Sequence, residues 1–87
     1  MTEQQEELLA SIQGLCRTIR DEHGVYVTYT EHLHAGDDTW VMVSVCTGKD
    51  GENYTFERYD STPLRLGSIE AVRDGLAEHL VKLREAA

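Results

Sequence analysis

Apolar residues recur every three or four positions in two stretches, one near each end of the chain. A repeat close to 3.6 residues is typical of an amphipathic helix, so residues 2–23 and 68–84 are predicted to be helices. Gly24 suits the position just after the first helix, and Ser68 suits the N-cap of the second. The apolar stripes are Leu8, Leu9, Ile12, Leu15, Cys16 and Ile19 in the first helix and Ile69, Val72, Leu76, Leu80 and Leu83 in the second.

The stretch between the helices has the pattern of β-strands. Residues 25–32, 39–47 and 53–59 are rich in β-branched and aromatic side chains, and the last two alternate. The Gly48–Glu52 segment is typical of a tight hairpin, and 33–38 forms a longer connection. These features predict a single α+β domain over residues 1–87, in the order α-β-β-β-α. Its three-stranded antiparallel meander should carry both helices on one face.

Alternation along each strand assigns its side chains to one of two faces. The face under the helices is predicted to carry Val25, Val27, Tyr29, Val41, Val43, Val45, Tyr54 and Phe56. The opposite face is predicted to carry Tyr26, Thr28, Thr30, Trp40, Met42, Ser44, Cys46, Thr55, Glu57 and Tyr59. No third layer remains in the sequence to cover this second face. Because aromatic and Met side chains are enriched in interface cores, Tyr26, Trp40, Met42 and Tyr59 are candidate partner-binding residues.

Charge changes the expectation about partners. The chain has sixteen acidic and eight basic residues, which gives a formal net charge of −8 on 87 residues. A small domain with this excess carries a negative field over most of its surface. It should repel nucleic acid and anionic membranes and attract basic proteins, which in a cell are mostly nucleic-acid-binding proteins.

The meander gathers acidic residues at both ends of the sheet. One end should collect Glu31, Asp37, Asp38 and Asp60. At the other end, Asp50 and Glu52 should approach Asp21 and Glu22. Clustered carboxylates raise each other's ionisation cost, which favours recognition of a basic partner, whereas solubility is the alternative explanation of the same charges.

Catalytic and metal-binding patterns are weak. Cys16 lies on a core stripe, Cys46 has no histidine clearly beside it, and no glycine-rich phosphate loop occurs, so no enzymatic activity is predicted. His32 and His34, followed by Asp37 and Asp38, could meet around zinc, but two solvated histidines explain them better. The sequence therefore predicts no metal site and no cofactor.

The compartment is predicted from the N-terminus and the cysteines. The acidic start, Met-Thr-Glu-Gln-Gln-Glu-Glu, is unlike an export signal, and no apolar run approaches the length of a membrane span. With two cysteines and no disulfide framework, we expect a cytoplasmic protein with free thiols, in the host cytoplasm if it is phage-encoded.

Over residues 5–84 the element order resembles a double-stranded-RNA-binding domain. The loop HAGDDTW followed by VMVSV and CTGKDG resembles that family's second strand and hairpin, and Ser68 opens the last helix where the family also begins one. That family grips phosphates with lysines at this helix start, whereas this chain has Ile69 and Glu70 there, with Arg73 as the nearby cation. The resemblance therefore concerns topology.

In size, charge and helix–meander–helix build the chain also resembles small acidic phage inhibitors, several anti-CRISPR proteins among them, which imitate nucleic acid. The leading expectation is a non-enzymatic module that inhibits or regulates a basic, nucleic-acid-binding protein. The first alternative is a module that dimerises or docks a partner through the open sheet face. A degenerate RNA-binding module is the weaker alternative.

Overall fold

The computed structural model describes residues 3–32, 39–61 and 68–86, and confirms the predicted α+β fold. Two helices flank three strands, and the strands form one antiparallel sheet in the order β1-β2-β3. The elements are α1 (Glu3–His23), β1 (Val27–His32), β2 (Trp40–Asp50), β3 (Asn53–Asp60) and α2 (Ile69–Ala86).

Local signals end and begin the helices as predicted. Gly24 has a φ of 62° and its N–H donates to the carbonyl of Arg20, so α1 stops there. At the start of α2, the hydroxyl of Ser68 accepts a 3.0 Å hydrogen bond from the N–H of Ala71. The Arg84 guanidinium in the last turn of α2 binds both carboxylate oxygens of Glu22, at 2.6 and 2.9 Å, and ties the helix ends together.

Both helices pack on the same face of the sheet, as predicted. Val41, Val43 and Val45 of β2 are fully buried between the sheet and the helices. Val25, Val27 and Tyr29 pack at the edge of this core. The other buried members are the helix residues Leu8, Leu9, Ile12, Cys16, Ile19, Ile69, Val72, Leu76 and Leu80.

A β-bulge in β2 makes one face assignment wrong. The turn at Gly51 pairs Asp50 with Asn53, but the register shifts by one residue between Cys46 and Gly48. A one-residue shift moves every later side chain of the partner strand to the other face. Phe56 therefore lies opposite Cys46 on the open face, and Phe56 and Tyr54 are each half exposed.

The same register shift changes the face on which the remaining residues of β3 lie. Glu57 lies opposite Val45 and Tyr59 opposite Val43, so both are on the helix-covered face. The prediction that Glu57 and Tyr59 belong to the open face is wrong. It is also wrong for Thr55, because Thr55 alternates with Phe56 along the strand and so lies on the helix-covered face.

Ser61 extends the pairing of β3 by one residue. Its N–H donates to the carbonyl of Val41, and its hydroxyl accepts from the N–H of Val41, both at 3.0 Å. Neither described helix combines the length and apolar character that a membrane span requires.

Candidate partner-binding face

The open face of the sheet is built mainly by β1 and β2. Cross-strand pairs place Thr28 beside Ser44 and Thr30 beside Met42. Tyr26 joins this face just before β1, since its carbonyl accepts a hydrogen bond from the N–H of Cys46. Within the described residues, no helix or strand lies over this face. We call open face the set Tyr26, Thr28, Thr30, His32, Trp40, Met42, Ser44, Cys46, Phe56, Arg58 and Asp60.

An aromatic stack occupies one corner of the open face. The rings of His32 and Trp40 lie 3.5 Å apart between centroids and are nearly parallel, at 14°. They are a directly opposed cross-strand pair, and such pairs hold aromatic side chains in fixed positions. Met42 follows Trp40 on the same face of β2, two residues along the strand.

Large apolar side chains remain accessible at the other end. Tyr26 is 72% exposed and Phe56 50% exposed. A cleft of about 490 Å³ opens here between the hairpin and the end of α2. Lys49 places its ammonium 5.2 Å from the ring centroid of Tyr54 at the cleft. The cleft is lined by residues that include Tyr26, Cys46, Lys49, Tyr54, His79 and Leu83.

Charge is distributed unevenly around the molecule. The open face, as defined above, includes two charged side chains of the Arg, Lys, Asp and Glu types. These are Arg58 and Asp60, and their charges are opposite. The helices hold a much larger share of the acidic residues. These are Glu3, Glu6, Glu7, Asp21 and Glu22 in α1 and Glu70, Asp74, Glu78 and Glu85 in α2. The open face is thus close to neutral within a strongly acidic domain.

On the opposite side of β3, Tyr59 forms a polar contact that joins sheet and helix. Its hydroxyl and Nδ1 of His79 are 2.8 Å apart, and the two rings meet edge to face. A carboxylate oxygen of Glu57 lies 3.7 Å from the same nitrogen. His79 is buried, although it was not among the predicted core residues. Its place three residues after Leu76, on the stripe of α2, was the available signal.

Burial raises the pKa of Tyr59 to about 12, and the negative charge of Glu57 adds to the effect. Gly75 of α2 lies directly against this ring, since a Cβ there would be 2.8 Å from Cδ1 of Tyr59. The Tyr59–His79 contact is therefore a packed structural joint, and Tyr59 leaves the list of partner-binding candidates. Tyr26, Trp40 and Met42 keep their predicted places on the open face.

The predicted acidic clusters lie as follows. Glu31 and Asp60 are at the same end of the sheet, paired with Val41 and Met42, but on opposite faces. Asp37 and Asp38 lie outside the described residues. At the other end, Asp50 and Glu52 are exposed in the hairpin.

The helix carboxylates at the hairpin end are bound to arginines. Asp21 accepts from Arg20 at 2.8 Å, and Glu22 is bound by Arg84. These hydrogen bonds lower the pKa of both carboxyl groups. Asp50 and Glu52 therefore remain as exposed carboxylates of the hairpin at this end, with Lys49 as the cation of the same segment.

The two thiols lie on opposite sides of the sheet and are not bonded to each other. Burial raises the pKa of Cys16 to about 11, so this thiol is protonated at neutral pH and is a poor nucleophile. Cys46 is partly exposed on the open face. Among the described residues no group of three His, Cys, Asp or Glu side chains could hold a metal ion, and His34 lies outside them.

No protein family, characterised protein or solved structure matches this chain. A functional proposal therefore rests on the geometry of the open face.

Proposed function

We propose that this protein is a binding module that docks a basic protein on the open face of its sheet. The observation that carries the proposal is the presence of large side chains at both ends of the open face. His32, Trp40 and Met42 lie at one end and the exposed rings of Tyr26 and Phe56 at the other, with Thr28, Ser44 and Arg58 between them. A few buried residues carry most of the binding energy of a protein interface, and Trp and Tyr are enriched among them.

The charge distribution indicates what kind of protein fits. A neutral, partly apolar centre needs an apolar patch on the partner, because an unpaired charge buried there would be costly. Around it the domain is acidic, with Asp50 and Glu52 exposed at one end. A partner with an apolar patch rimmed by Lys and Arg would satisfy both regions, and the opposite fields would speed its association.

Binding rather than catalysis fits the titratable groups. Cys16 is buried with a raised pKa, and His79 is held against Tyr59 inside the fold. The function we propose requires no cofactor.

A narrower hypothesis makes the partner a nucleic-acid-binding protein, with hairpin carboxylates occupying sites that normally bind phosphates. The exposed positions of Asp50 and Glu52 favour it. In this version the protein is an inhibitor, of the anti-CRISPR-like kind. A polyanion such as heparin should then displace the partner in competition.

One capture experiment with matched variants tests the proposal. Immobilised wild-type protein, Trp40→Ala/Met42→Ala, Asp50→Lys/Glu52→Lys and Val81→Ala are exposed to the source lysate. Val81 is the control, because it is an apolar side chain that is 50% exposed but lies on α2, away from the open face. We expect the same protein on wild type and Val81→Ala, and loss of it on Trp40→Ala/Met42→Ala.

The captured protein is then titrated in purified form. Removal of both anchors should weaken binding by about 2 kcal/mol or more. Charge reversal in the hairpin should slow association, and the effect should fade with salt. If Trp40→Ala/Met42→Ala binds as tightly as wild type while retaining its circular dichroism, the open face is not the docking surface.

A further inference from the structure

A second candidate surface lies along the free edge of β1, away from the open face. The sheet order makes β1 an edge strand. The hydrogen bond from the N–H of Cys46 to the carbonyl of Tyr26 fixes which main-chain groups point toward β2. Because these groups alternate along an antiparallel strand, those of Val27, Tyr29 and Glu31 point outward. Within the described residues, nothing bonds to them.

This edge has few of the features that usually protect an edge strand, and Glu31 is its one acidic side chain. Proteins block such edges with Lys, Pro, bulges or very short strands. The six residues of β1, VTYTEH, contain neither Lys nor Pro, and their pairing with β2 is regular. The edge of β3 differs, because Arg58 lies at its centre and a symmetric pairing about it would oppose two guanidinium groups.

A groove runs beside this edge and gives it a charge pattern. Gln13, Cys16, Arg17 and Arg20 of α1, with Val27 and Tyr29 of β1, line a cavity of about 400 Å³. Arg17 makes no ion pair with any residue in the described part of the chain, and Arg20 pairs with its neighbour Asp21. The Val27 end of the edge therefore carries the positive charge of Arg17 beside the neutral Arg20–Asp21 pair. The other end carries the exposed carboxylate of Glu31, which accepts a 3.0 Å hydrogen bond from the hydroxyl of Tyr29.

We infer that the occupant of this edge is a second copy of the same chain, paired antiparallel through β1. When a two-fold axis passes beside Tyr29, the main-chain groups of all three outward-pointing residues form hydrogen bonds across the dimer. It pairs Tyr29 with the partner's Tyr29, and Val27 with the partner's Glu31, each pair exchanging two main-chain hydrogen bonds. Residues paired in this way have Cα atoms about 5.5 Å apart. Glu31 of each copy then reaches the other copy's groove, where Arg17 and Arg20 lie.

The symmetry explains why charge favours this occupant. Antiparallel pairing superposes the basic end of one edge on the acidic end of the other, and it does so twice. The net charge of −8 on each copy opposes association at long range. At physiological ionic strength, however, screening acts over about 8 Å, so contacts at ion-pair distance are weakened much less. The dimer carries one continuous sheet and leaves both open faces uncovered, so it goes beyond the proposed function and does not depend on it.

Charge-swapped variants test the inference. Glu31→Arg places arginines against arginines in its own homodimer, and Arg17→Glu/Arg20→Glu places carboxylates against Glu31. Each variant alone should raise the dimer dissociation constant about tenfold or more by sedimentation equilibrium. When the two variants are mixed, each groove of the heterodimer faces a residue 31 of opposite charge. The heterodimer should therefore regain wild-type affinity. Circular dichroism confirms that each variant is folded.

Cross-linking tests the register. In a Cys46→Ser background, Tyr29→Cys should form a disulfide-linked dimer under mild oxidation, because the paired Cα atoms lie within disulfide range. Arg58→Cys, on the opposite edge strand, is the control and should cross-link far more slowly. The inference is overturned if wild type stays monomeric up to millimolar concentration. It is equally overturned if the mixed variants associate no better than each alone, or if Arg58→Cys cross-links as fast as Tyr29→Cys.

Discussion

Two glycine-to-alanine substitutions in helices should have opposite effects on stability. Gly14 in α1 has open space around it, because a Cβ added there would have no atom within 4 Å beyond its own stretch of helix. Gly75 in α2 lies against Tyr59, where a Cβ would be 2.8 Å from Cδ1 and 2.9 Å from Cε1. Alanine is favoured over glycine inside a helix by about 1 kcal/mol, so propensity alone predicts that both changes stabilise the protein.

The structure predicts a different result at Gly75. The Tyr59 ring cannot simply swing away, because it packs on the core and its hydroxyl is bonded to His79 at 2.8 Å. Overpacking costs about 1–3 kcal/mol, and a strained hydrogen bond loses up to about 1 kcal/mol more. Less the gain in helix propensity, these costs come to about 0–3 kcal/mol, so Gly75→Ala should lower the free energy of unfolding by about 1–2 kcal/mol, the middle of that range. Gly14→Ala should raise it by up to about 1 kcal/mol.

Urea denaturation followed by circular dichroism measures both changes. A third comparison isolates the ring: in a Tyr59→Ala background, Gly75→Ala should no longer destabilise, because the contact is gone. If Gly75→Ala stabilises the protein as much as Gly14→Ala does, Tyr59 does not lie on the helix-covered face. The face correction for β3 would then be wrong.

Two further predictions concern titratable groups. The pKa values of Tyr29 and Tyr59 are raised from 10.0 to about 12, chiefly by burial. Their protonated forms therefore stabilise the fold below pH 10, and this contribution should be lost as pH rises from 10 to 12. Tyrosinate absorbance should show a component near pH 12 that shrinks in Tyr29→Phe and in Tyr59→Phe, and titration of all tyrosines near pH 10 would contradict this. A thiol reagent at neutral pH should modify Cys46 and spare Cys16 until urea is added; two reactive thiols in the native protein would show that Cys16 is not buried.

The helices and the first two strands could be predicted because each residue pattern there has one solution. The stripes of α1 and α2, the stop at Gly24 and the cap at Ser68 are local features. The valines of β2 alternate with Trp40, Met42, Ser44 and Cys46, and the unbroken set of valines identifies the face that is buried.

The third strand could not be assigned from its own residues. Both of its faces carry an aromatic side chain, Phe56 on one and Tyr59 on the other. The choice between them depends on one extra residue in β2, between Cys46 and Gly48. A glycine inside a strand often marks a bulge, so Gly48 was the available signal, but the hairpin prediction placed it in the turn. Without the bulge, the tight turn at Gly51 would have placed Phe56 in the core as predicted.

Only part of the candidate site could be predicted, because some of its residues follow from strand alternation and others depend on tertiary packing. Tyr26, Trp40 and Met42 lie on strands whose faces are fixed by the core, so their positions followed from alternation. The stacking of His32 on Trp40 depends on the β1–β2 register, which strand patterns leave open. The groove beside β1 depends on how α1 lies across the sheet, and this too is a tertiary property.

Docking of a partner on the open face of the sheet is tested most directly by chemical-shift mapping. The ¹⁵N-labelled protein is titrated with the captured partner, and the shift of each backbone amide is followed. We expect the largest changes on Thr28, Met42, Ser44, Phe56 and the Trp40 indole, while the outer surfaces of α1 and α2 change little. Changes concentrated on those helix surfaces, with the Trp40 indole unmoved, would contradict docking on the open face.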